Sequence, residues 1–442
     1  MLIALLLAAS AMDDISVAAL LKGVPRQILL PAGIITVRSP IRVPRGFSLR
    51  GHAGGTTLRA AQHFKGKAIL ICESDVDLSH LSIDGNRAAM AQSSEIPPAD
   101  RSFIVFYDRN GIVANKAQDI RLHDIKLTNI LNFPVIISAS KGITIERVHI
   151  SNSGSLRGNG RNNTSGGILL EEGTSNFTIK GCKFRNVRGN GVWTHSLYTS
   201  RRNGPGLIDT NDFETIARDA IQVGHATSVM VRGNSGRRIG WPVVEVDVEG
   251  GGTPVAIDTA GNVDQTTYTR NHFEEINGKC IDLDGFHDGV VSDNTCINRG
   301  RAEDYPLGHY GIVFNNTNPD MHSTGITVTG NLIDGTKFGG IFVIGTRHKI
   351  RLNRLLNLNL AGCNENAAKF GCLFDANQPD LLRVGIYLAA KAERADPARD
   401  NVIVDNVISG HAMKKRCLAA APLIDLRQQT IERNDCTNSN PR

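Results

Sequence analysis

The chain has 442 residues, 41% of them hydrophobic, with 45 glycines and a formal net charge of +6. This length could hold two or three average domains, although repeat folds reach it as a single unit. No segment approaches the roughly 18 consecutive apolar residues that a membrane-spanning helix needs, which excludes a helical membrane protein. The high glycine content and only 5% aromatic residues favour a protein of strands and turns.

The first eleven residues, MLIALLLAASA, form an apolar run that ends in the small-residue pattern Ala9-Ser10-Ala11. This pattern is typical of a secretory signal peptide and predicts a secreted or periplasmic protein. The run lacks the usual basic residue at its start, which suggests that the assigned start lies too far downstream. A buried first strand is the alternative, but the run ends in small residues and Asp13-Asp14 follow it.

After this run, residues 13–22 (DDISVAALLK) are the one segment predicted to be a helix, suited to covering the open edge of a solenoid. Residues 29–51 then predict strands broken by Pro and Gly turns. We expect residues 12–442 to form one repeat domain.

Strand-like segments of similar pattern return between residues 166 and 390. They align on a shared aliphatic residue: Ile168, Val192, Ile221, Ile257, Ile281, Ile312, Ile341 and Ile386. The shortest interval is 24 residues, and the excess elsewhere indicates insertions. A repeat of this size made of strands and turns predicts an all-β solenoid.

A second column supports the same repeat. Asparagines follow apolar strands at intervals as short as 22–23 residues: Asn211, Asn234, Asn271, Asn294, Asn331, Asn353, Asn406 and Asn434. Asn tolerates the left-handed conformation of a tight bend, and stacked Asn side chains can hydrogen-bond between coils. We interpret this column as structural.

The predicted insertions are 155–165, 199–206, 235–254, 299–309 and 361–383. Four of them precede the strand of the aligned aliphatic residues, and 199–206 follows it. Loops on one flank would wall a groove beside that strand face.

If the aligned residue points inward, the residues one and three positions later point outward. The outward positions include Asp258, Asp282 and Asp284, with Asp258 and Asp282 equivalent in successive coils. Carboxylates this close repel, so at least one should have a raised pKa. Paired carboxylates of this kind suit glycoside hydrolysis, and we assign Asp258, Asp282, Asp284 and His309 as catalytic candidates.

Other polar and aromatic residues around this column are candidates for substrate binding: Glu171, Trp193, His195, Gln222, His225, His287, Asn315 and Arg201. Trp193, Tyr310 and Tyr387 could stack on sugar rings or pack under loops. No cofactor is predicted. A Ca²⁺ site made by the three aspartates and Asn315 is a minor alternative, tied to a lyase activity.

Eight cysteines are compatible with export. Cys363 and Cys372 are the best candidate pair, Cys417 with Cys436 and Cys280 with Cys296 could form others, and Cys72 and Cys182 are predicted to be buried thiols. None has CxxC spacing, so no zinc site is predicted.

Six arginines between residues 157 and 202 could line a groove for an anionic polymer: Arg157, Arg161, Arg185, Arg188, Arg201 and Arg202. Scattered surface arginine explains them equally well. They lack interleaved aromatic residues, which disfavours a nucleic-acid partner.

The segments 30–60 and LSIDGN (81–86), together with the repeated GI-x-V and V-x-x-N patterns, resemble the right-handed parallel β-helix proteins of the pectin lyase-like superfamily. The resemblance implies an extracellular carbohydrate-active fold. The polygalacturonase-like hydrolases carry an Asp in one coil, an Asp pair in the next and then Gly-His-Gly, an order similar to Asp258, Asp282 with Asp284, and Gly308-His309-Tyr310-Gly311. The NTD, Asp-Asp and Arg-Ile-Lys motifs of those hydrolases are absent.

The sequence thus predicts a secreted glycoside hydrolase that acts on a polysaccharide or oligosaccharide. A polysaccharide lyase or uronate epimerase is the alternative, disfavoured because the aligned outward columns contain no Lys or Arg. A non-catalytic carbohydrate-binding β-helix is the third hypothesis.

Overall fold

The computed structural model describes residues 13–23, 26–90, 95–162, 164–248, 252–363, 372 and 381–439. The predicted signal peptide and most of the predicted insertion 361–383 lie outside the described residues. The chain divides into two compact units, unit 1 (Met1–Ala217 and Val244–Asp247) and unit 2 (Arg218–Val243 and Val248–Arg442).

Unit 1 contains the helices α1 (Asp14–Leu20) and α2 (Phe103–Phe106). Its strands are β1 (Gln27–Leu29), β2 (Gly33–Val37), β3 (Ile41–Val43), β4 (Ser48–Arg50), β5 (Thr56–Ala60), β6 (Ala68–Cys72), β7 (Val76–Ser79), β8 (Ser82–Asp84), β9 (Asn110–Asn115), β10 (Gln118–His123), β11 (Lys126–Thr128), β12 (Val135–Ser138), β13 (Lys141–Glu146), β14 (His149–Ser153), β15 (Ile168–Glu171), β16 (Ser175–Lys180), β17 (Lys183–Val187), β18 (Val192–His195), β19 (Gly206–Asp209) and β20 (Asp212–Ile216).

The strands of unit 2 are β21 (Ile221–Thr227), β22 (Val229–Arg232), β23 (Ser235–Ile239), β24 (Val255–Asp264), β25 (Thr267–Thr269), β26 (His272–Ile276), β27 (Lys279–Asp284), β28 (Phe286–His287), β29 (Val290–Ser292), β30 (Thr295–Ile297), β31 (Ile312–Asn315), β32 (Thr327–Thr329), β33 (Leu332–Asp334), β34 (Ile341–Val343), β35 (Lys349–Arg351), β36 (Arg354–Leu358), β37 (Ile386–Leu388), β38 (Val402–Val404), β39 (Val407–Gly410), β40 (Leu418–Ala420), β41 (Thr430–Glu432) and β42 (Asp435–Asn438). Short 3₁₀ helices lie at Arg87–Ala89, Val243–Glu245, Ala302–Asp304 and Leu426–Gln428.

Each unit is a parallel β-helix in which one coil contributes a strand to each of three parallel sheets. In unit 1 the third sheet contains β3, β6, β9, β12, β15 and β18; in unit 2 it contains β21, β24, β27, β31, β34, β37 and β40, with β28 paired to β24. Ile120 pairs with Ile143 and Leu332 with Arg354, which are 23 and 22 residues apart. The predicted β-helix and its minimum repeat are therefore confirmed.

The aligned aliphatic residues occupy one buried row in each unit. Ile168 pairs with Val192 in unit 1. In unit 2, Ile221 pairs with Ile257 and the row continues through Ile281 to Ile386. All are at most 1% exposed, because stacked aliphatic side chains fill the interior of the coils.

The helix predicted at 13–22 forms α1 and packs against β2 and β3. Asp13 caps it by accepting a hydrogen bond from the backbone N–H of Ser16 at 3.0 Å. Buried Asp14 accepts the backbone N–H groups of Arg38 and Ser39 at 2.8 Å each, which ties the helix to the first coil.

The asparagine column forms a buried hydrogen-bonded ladder in unit 2. Asn294 donates its backbone N–H and its side-chain Nδ2 to Oδ1 of Asn331, at 3.0 Å each, and Asn331 does the same to Asn353. The predicted left-handed conformation belongs to the residue before each asparagine, such as Arg270, Asp293 and Leu352. The bend residue faces solvent with positive φ, which leaves the asparagine extended and buried to bridge the coils.

The predicted insertions need two corrections. Residues 235–239, assigned to an insertion, form the sheet strand β23. In unit 1, the segment 86–109 between β8 and β9 is an insertion that the alignment missed, since the alignment began only at residue 166, and it carries α2.

Candidate active site

The acidic residues lie together on the third sheet of unit 2. Gln222 on β21 pairs with Asp258 on β24, and Ile257 pairs with Ile281, so Asp258 lies beside Asp282 of β27. Adjacent strands are about 4.8 Å apart, which confirms that Asp258 and Asp282 are neighbours across one strand gap. Two residues along, Asp284 pairs with Asn315 of β31.

These side chains are less exposed than the outward position predicts. Asp258 is 7% exposed, Asp282 is 6% exposed and Gln222 is also buried, whereas Asp284 is half-buried. Gln222 donates from Nε2 to Oδ2 of Asp258 at 2.6 Å. The outward positions of Asp258 and Asp282 are thus largely covered, and each carboxyl group contacts a side chain, Gln222 or Lys279.

Lys279, at the start of β27, is the residue of this cluster that the sequence analysis missed. Its Nζ forms an ion pair with Oδ2 of Asp282, and the Lys279 side chain is only 15% exposed. Burial opposes its charge, but the Asp282 carboxylate outweighs burial and raises the Lys279 pKa. Oδ1 of Asp282 is buried and has no hydrogen-bond partner among the residues that the structure describes.

Asp219, at the bend before β21, is a second residue that the sequence analysis missed. It accepts the backbone N–H of Val255 at 2.8 Å and lies 3.2 Å from Nε of Arg218. Burial raises its pKa to about 6, although the Arg218 charge lowers it. Asp219 lies three residues before Gln222, and Lys279 lies three residues before Asp282. This shared spacing was the sequence signal that could have identified both residues.

At least one carboxyl group of the cluster has a raised pKa, as the sequence predicts. Burial raises the pKa of Asp258 well above its ordinary value, and the negative charges of Asp219 and Asp282 raise it further. Burial also raises the pKa of Asp284 to about 6, although the backbone N–H of Thr317 donates to it at 2.7 Å and lowers it. Asp258, whose pKa is raised, therefore lies beside Asp282, which is ion-paired to Lys279.

The predicted catalytic His309 is a neutral imidazole. Burial lowers its pKa to about 3, and the charges of Lys279 and Lys337 lower it further. Its Nδ1 is buried and has no hydrogen-bond partner within the described part of the chain. Its ring lies 5.9 Å from the rings of Tyr310 and Phe338. His309 can therefore donate or accept a hydrogen bond but is a poor base at neutral pH.

Two further histidines of unit 2 were predicted to bind substrate. His225 is buried near the end of β21, with φ of +43°. His287 is half-buried, and its Nε2 lies 3.1 Å from Oδ1 of Asn262.

The remaining binding candidates lie in unit 1, where the expected exposure is wrong for two of them. Glu171 is fully buried and accepts the backbone N–H groups of Phe103 and Ile104, at 2.9 Å each. Trp193 is 7% exposed, and the Phe103 ring lies 5.0 Å from its ring. The missed insertion 86–109 covers both residues, which is why a strand-face argument placed them in solvent.

His195 and Arg201 differ from this buried pair. The ring of half-buried His195 lies 4.7 Å from that of Phe103 and 5.2 Å from that of Trp193. Arg201 is exposed in the insertion 199–206.

The two tyrosines considered for sugar stacking are also covered. Tyr310 and Tyr387 are each 1% exposed. Tyr310 donates its hydroxyl to the carbonyl of Leu381, and it packs with Cys363 and Cys372 of the insertion 361–383.

The arginine-rich segment of unit 1 carries less free charge than its composition suggests. Arg157 pairs with Asp247, Arg185 with Asp212, and Arg188 with Glu245 at 3.2 Å. These pairs neutralise much of the predicted basic groove.

Among the described residues, one group of three His, Cys, Asp or Glu ligand atoms lies within 4.8 Å of one another, and it is His80, His123 and Asp124 of unit 1. Asp258, Asp282 and Asp284 do not form such a group, so they lack the close oxygen set of the Ca²⁺ alternative. Across the described part of the chain, no helix has the length and apolar character needed to cross a bilayer.

Comparison with known proteins supports the fold. The family model "Right handed beta helix region" matches residues 166–355. No curated protein sequence matches the chain. The structure resembles PfbA, a surface adhesin of Streptococcus pneumoniae, with a TM-score of 0.58, 13% identity and coverage of 79% of this chain and 92% of that one.

Two further solved structures show the same likeness. The pre-mature bacteriophage phi29 gene product 12 has a TM-score of 0.62 and 13% identity, over 89% of this chain and 51% of that one. The catalytic domain of a GH87 alpha-1,3-glucanase in complex with tetrasaccharides has a TM-score of 0.50 and 14% identity, over 94% of this chain and 67% of that one. The chain is thus a right-handed parallel β-helix protein, as its sequence predicts.

Proposed function

We propose that the protein is an exported carbohydrate-active enzyme that hydrolyses glycosidic bonds of a polysaccharide at the acidic cluster of unit 2. The observation that carries this proposal is the pair of neighbouring carboxyl groups, Asp258 and Asp282, of which Asp258 has a raised pKa and Asp282 is ion-paired to Lys279. Glycoside hydrolysis requires one carboxylic acid and one carboxylate on either side of the scissile bond.

In this proposal Asp258 is the general acid. Its raised pKa favours the protonated form that a general acid needs. Gln222 orients its carboxyl group through the 2.6 Å hydrogen bond.

Asp282 is the carboxylate partner. Lys279 pairs with one of its oxygens, and the other, Oδ1, has no hydrogen-bond partner among the described residues, so a side-chain movement that uncovers it would let it accept a hydrogen bond from a water molecule or the sugar. Asp284, half-buried at the end of the same strand, adds negative charge that stabilises a positively charged sugar transition state.

The three disulfides of unit 2 support export, because such bonds persist in oxidising compartments. The printed descriptions of two similar structures, a glucanase bound to tetrasaccharides and a surface adhesin, are compatible with an extracellular glycan as substrate.

A screen of neutral and uronate-containing polysaccharides tests the proposal, with release of reducing ends as the measurement. On any substrate that the parent cleaves, Asp258→Asn and Asp282→Asn should each lower turnover by roughly 10²–10⁴-fold. The matched control is Asp293→Asn, which changes an exposed aspartate at a bend of the same unit. Near-parental activity of both site variants would refute the assignment.

A polysaccharide lyase or epimerase remains the second candidate, and Lys279 favours it, since the absence of a basic residue was the argument against it. Because its pKa is raised, Lys279 favours the charged form, which suits neutralisation of a uronate carboxylate and does not suit proton abstraction. An unsaturated product that absorbs in the ultraviolet would support the lyase, and glycan binding without any product would support a binding protein.

A further inference from the structure

A cluster of histidines and aspartates in unit 1 is independent of the acidic site. His80 follows β7, and His123 and Asp124 end and follow β10, the neighbouring strand of the first sheet. His80 and Asp124 occupy equivalent bend positions in successive coils, since Ser79 pairs with His123. One ligand atom from each of the three residues lies within 4.8 Å of the other two.

The geometry points to a binding site for a divalent transition-metal ion, best suited to Zn²⁺, with His80, His123 and Asp124 as ligands. Two imidazoles and one carboxylate are a donor set that Zn²⁺ prefers. Nδ1 of His123 lies 2.8 Å from Oδ2 of Asp124. Two ligands of one tetrahedral zinc ion are roughly 3.3 Å apart, so a small side-chain shift converts this hydrogen bond into a metal bridge.

The residues behind these ligands are arranged to orient them. Nε2 of His123 lies 3.3 Å from Oδ1 of Asp77, so its N–H can donate to that carboxylate while Nδ1 binds the metal. Arg147 donates to Asp124 from Nε at 2.8 Å and from Nη2 at 2.9 Å. Because a carboxylate accepts about four hydrogen bonds, the fork of Arg147 leaves one lone pair of Oδ2 for the ion.

The site is also open to a ligand. The three residues lie in a cleft of unit 1 of about 1160 Å³ whose lining includes Arg26, Arg50, His52 and Lys126. His80 is exposed, whereas the His123 side chain is 16% exposed and held from two sides. Three protein ligands leave at least one coordination position toward the cleft, where the basic residues favour an anionic group on the metal.

Metal titration of the untagged, chelator-treated full chain tests this inference, with Co²⁺ as a spectroscopic probe and Zn²⁺ as its competitor. We expect one Co²⁺ per chain, visible absorption bands of a four-coordinate ion, and displacement by Zn²⁺. His80→Ala and His123→Ala should weaken binding by at least roughly 10-fold, and Asp77→Asn by roughly 10–100-fold. His149→Ala, in β14 of the same unit, should bind as the parent does.

The thermal midpoint of each metal-free variant separates loss of the site from loss of the fold. His80→Ala removes an exposed side chain and should keep the parental midpoint. The inference is overturned if binding is not saturable, if its stoichiometry differs from one, or if a folded His80→Ala binds Co²⁺ as tightly as the parent. None of these readouts depends on glycan hydrolysis.

Discussion

A single residue, Lys279, changes the interpretation of the acidic cluster because it is ion-paired to Asp282. Three carboxyl groups alone would only repel one another, but the ammonium group of Lys279 forms an ion pair with Asp282, while burial raises the pKa of Asp258. The pair is nearly buried, with side chains 15% and 8% exposed. In the proposed mechanism Asp282 therefore has both a structural and a catalytic role.

Removing the Asp282 carboxylate should destabilise the fold as well as stop turnover. Asp282→Asn leaves Lys279 charged and buried without its partner, which costs up to about 3–5 kcal/mol. Urea denaturation should show a lower midpoint for this variant. The double variant Lys279→Met with Asp282→Asn should regain most of the loss, and an unchanged midpoint in the single variant would mean that the ion pair contributes little.

The pH dependence of hydrolysis should reveal Asp284. Its pKa of about 6 means that the carboxylate forms as the pH rises through 6, so kcat/KM should increase over that range. Asp284→Asn should lower activity and remove this rise from the pH profile. A profile that keeps the same rise in Asp284→Asn would assign it to another group.

At the scale of elements, the asparagine ladder joins the coils of unit 2 by side-chain hydrogen bonds that the sheets alone do not provide. Asn331 accepts two hydrogen bonds from Asn294 and donates its Nδ2 to Asn353 and to the carbonyl of Val291. All these groups are buried, so each depends on its partner in the next coil.

Asn331→Ala should therefore lower the free energy of unfolding several times more than a substitution at an exposed position does. It removes the acceptor of the Asn294 backbone N–H and of one Nδ2 hydrogen, whereas Nδ2 keeps its bond to the carbonyl of Tyr268, so the main cost is the unpaired N–H at about 1–3 kcal/mol. Arg351→Ala, an exposed position on β35, is the control and should change stability by less than about 0.5 kcal/mol. Equal denaturation midpoints for the two variants would contradict a structural role for the ladder.

The insertion that carries α2 depends on Glu171. Burial raises the pKa of Glu171 to about 7, against two backbone N–H groups of Ile104 and Phe103 that lower it. Between pH 4.5 and 7 the folded state therefore keeps a proton that the unfolded chain has lost, so rising pH destabilises the fold.

Comparison with Glu171→Gln isolates this titration. The stability of the parent relative to Glu171→Gln should fall by up to about 3 kcal/mol as the pH rises from 4.5 to 7, since each unit of pKa shift is worth about 1.4 kcal/mol. Glu73→Gln, at an exposed position, is the control. A difference that is constant with pH would show that Glu171 does not titrate in this range.

At the scale of the whole molecule, the cysteines divide between the units as the sequence predicts. Cys280–Cys296, Cys363–Cys372 and Cys417–Cys436 are disulfides of unit 2. Cys72 and Cys182 are buried thiols of unit 1, and burial raises the pKa of each to about 12.

Thiol alkylation followed by mass spectrometry checks this division. The native protein should not react, because buried protonated thiols are poor nucleophiles. Unfolding without a reductant should expose the two thiols, and reduction should expose all eight. Rapid labelling of Cys72 or Cys182 in the native protein would mean that the coils of unit 1 open locally.

The repeat was readable from the sequence because each coil uses the same residue type at the same place. A buried aliphatic row and a buried asparagine row recur at a fixed interval, so their register, and with it the neighbouring placement of Asp258 and Asp282, follows from alignment. Lys279 and Asp219 were not identified from the sequence because the alignment compared only the two outward columns. Both residues lie at the start of the coil, outside those columns.

Periodicity along the chain therefore determined the β-helix, its row of core residues and the order of the acidic residues, because these depend on local spacing. Only the tertiary structure decided which side chains are buried, in which direction burial shifts their pKa values, and which side chains form ion pairs or hydrogen bonds. The segment 86–109 folds over Glu171 and Trp193, Lys279 turns toward Asp282, and His80 meets His123 from another coil. Such contacts depend on where insertions and side chains settle in space, and no interval in the sequence records that.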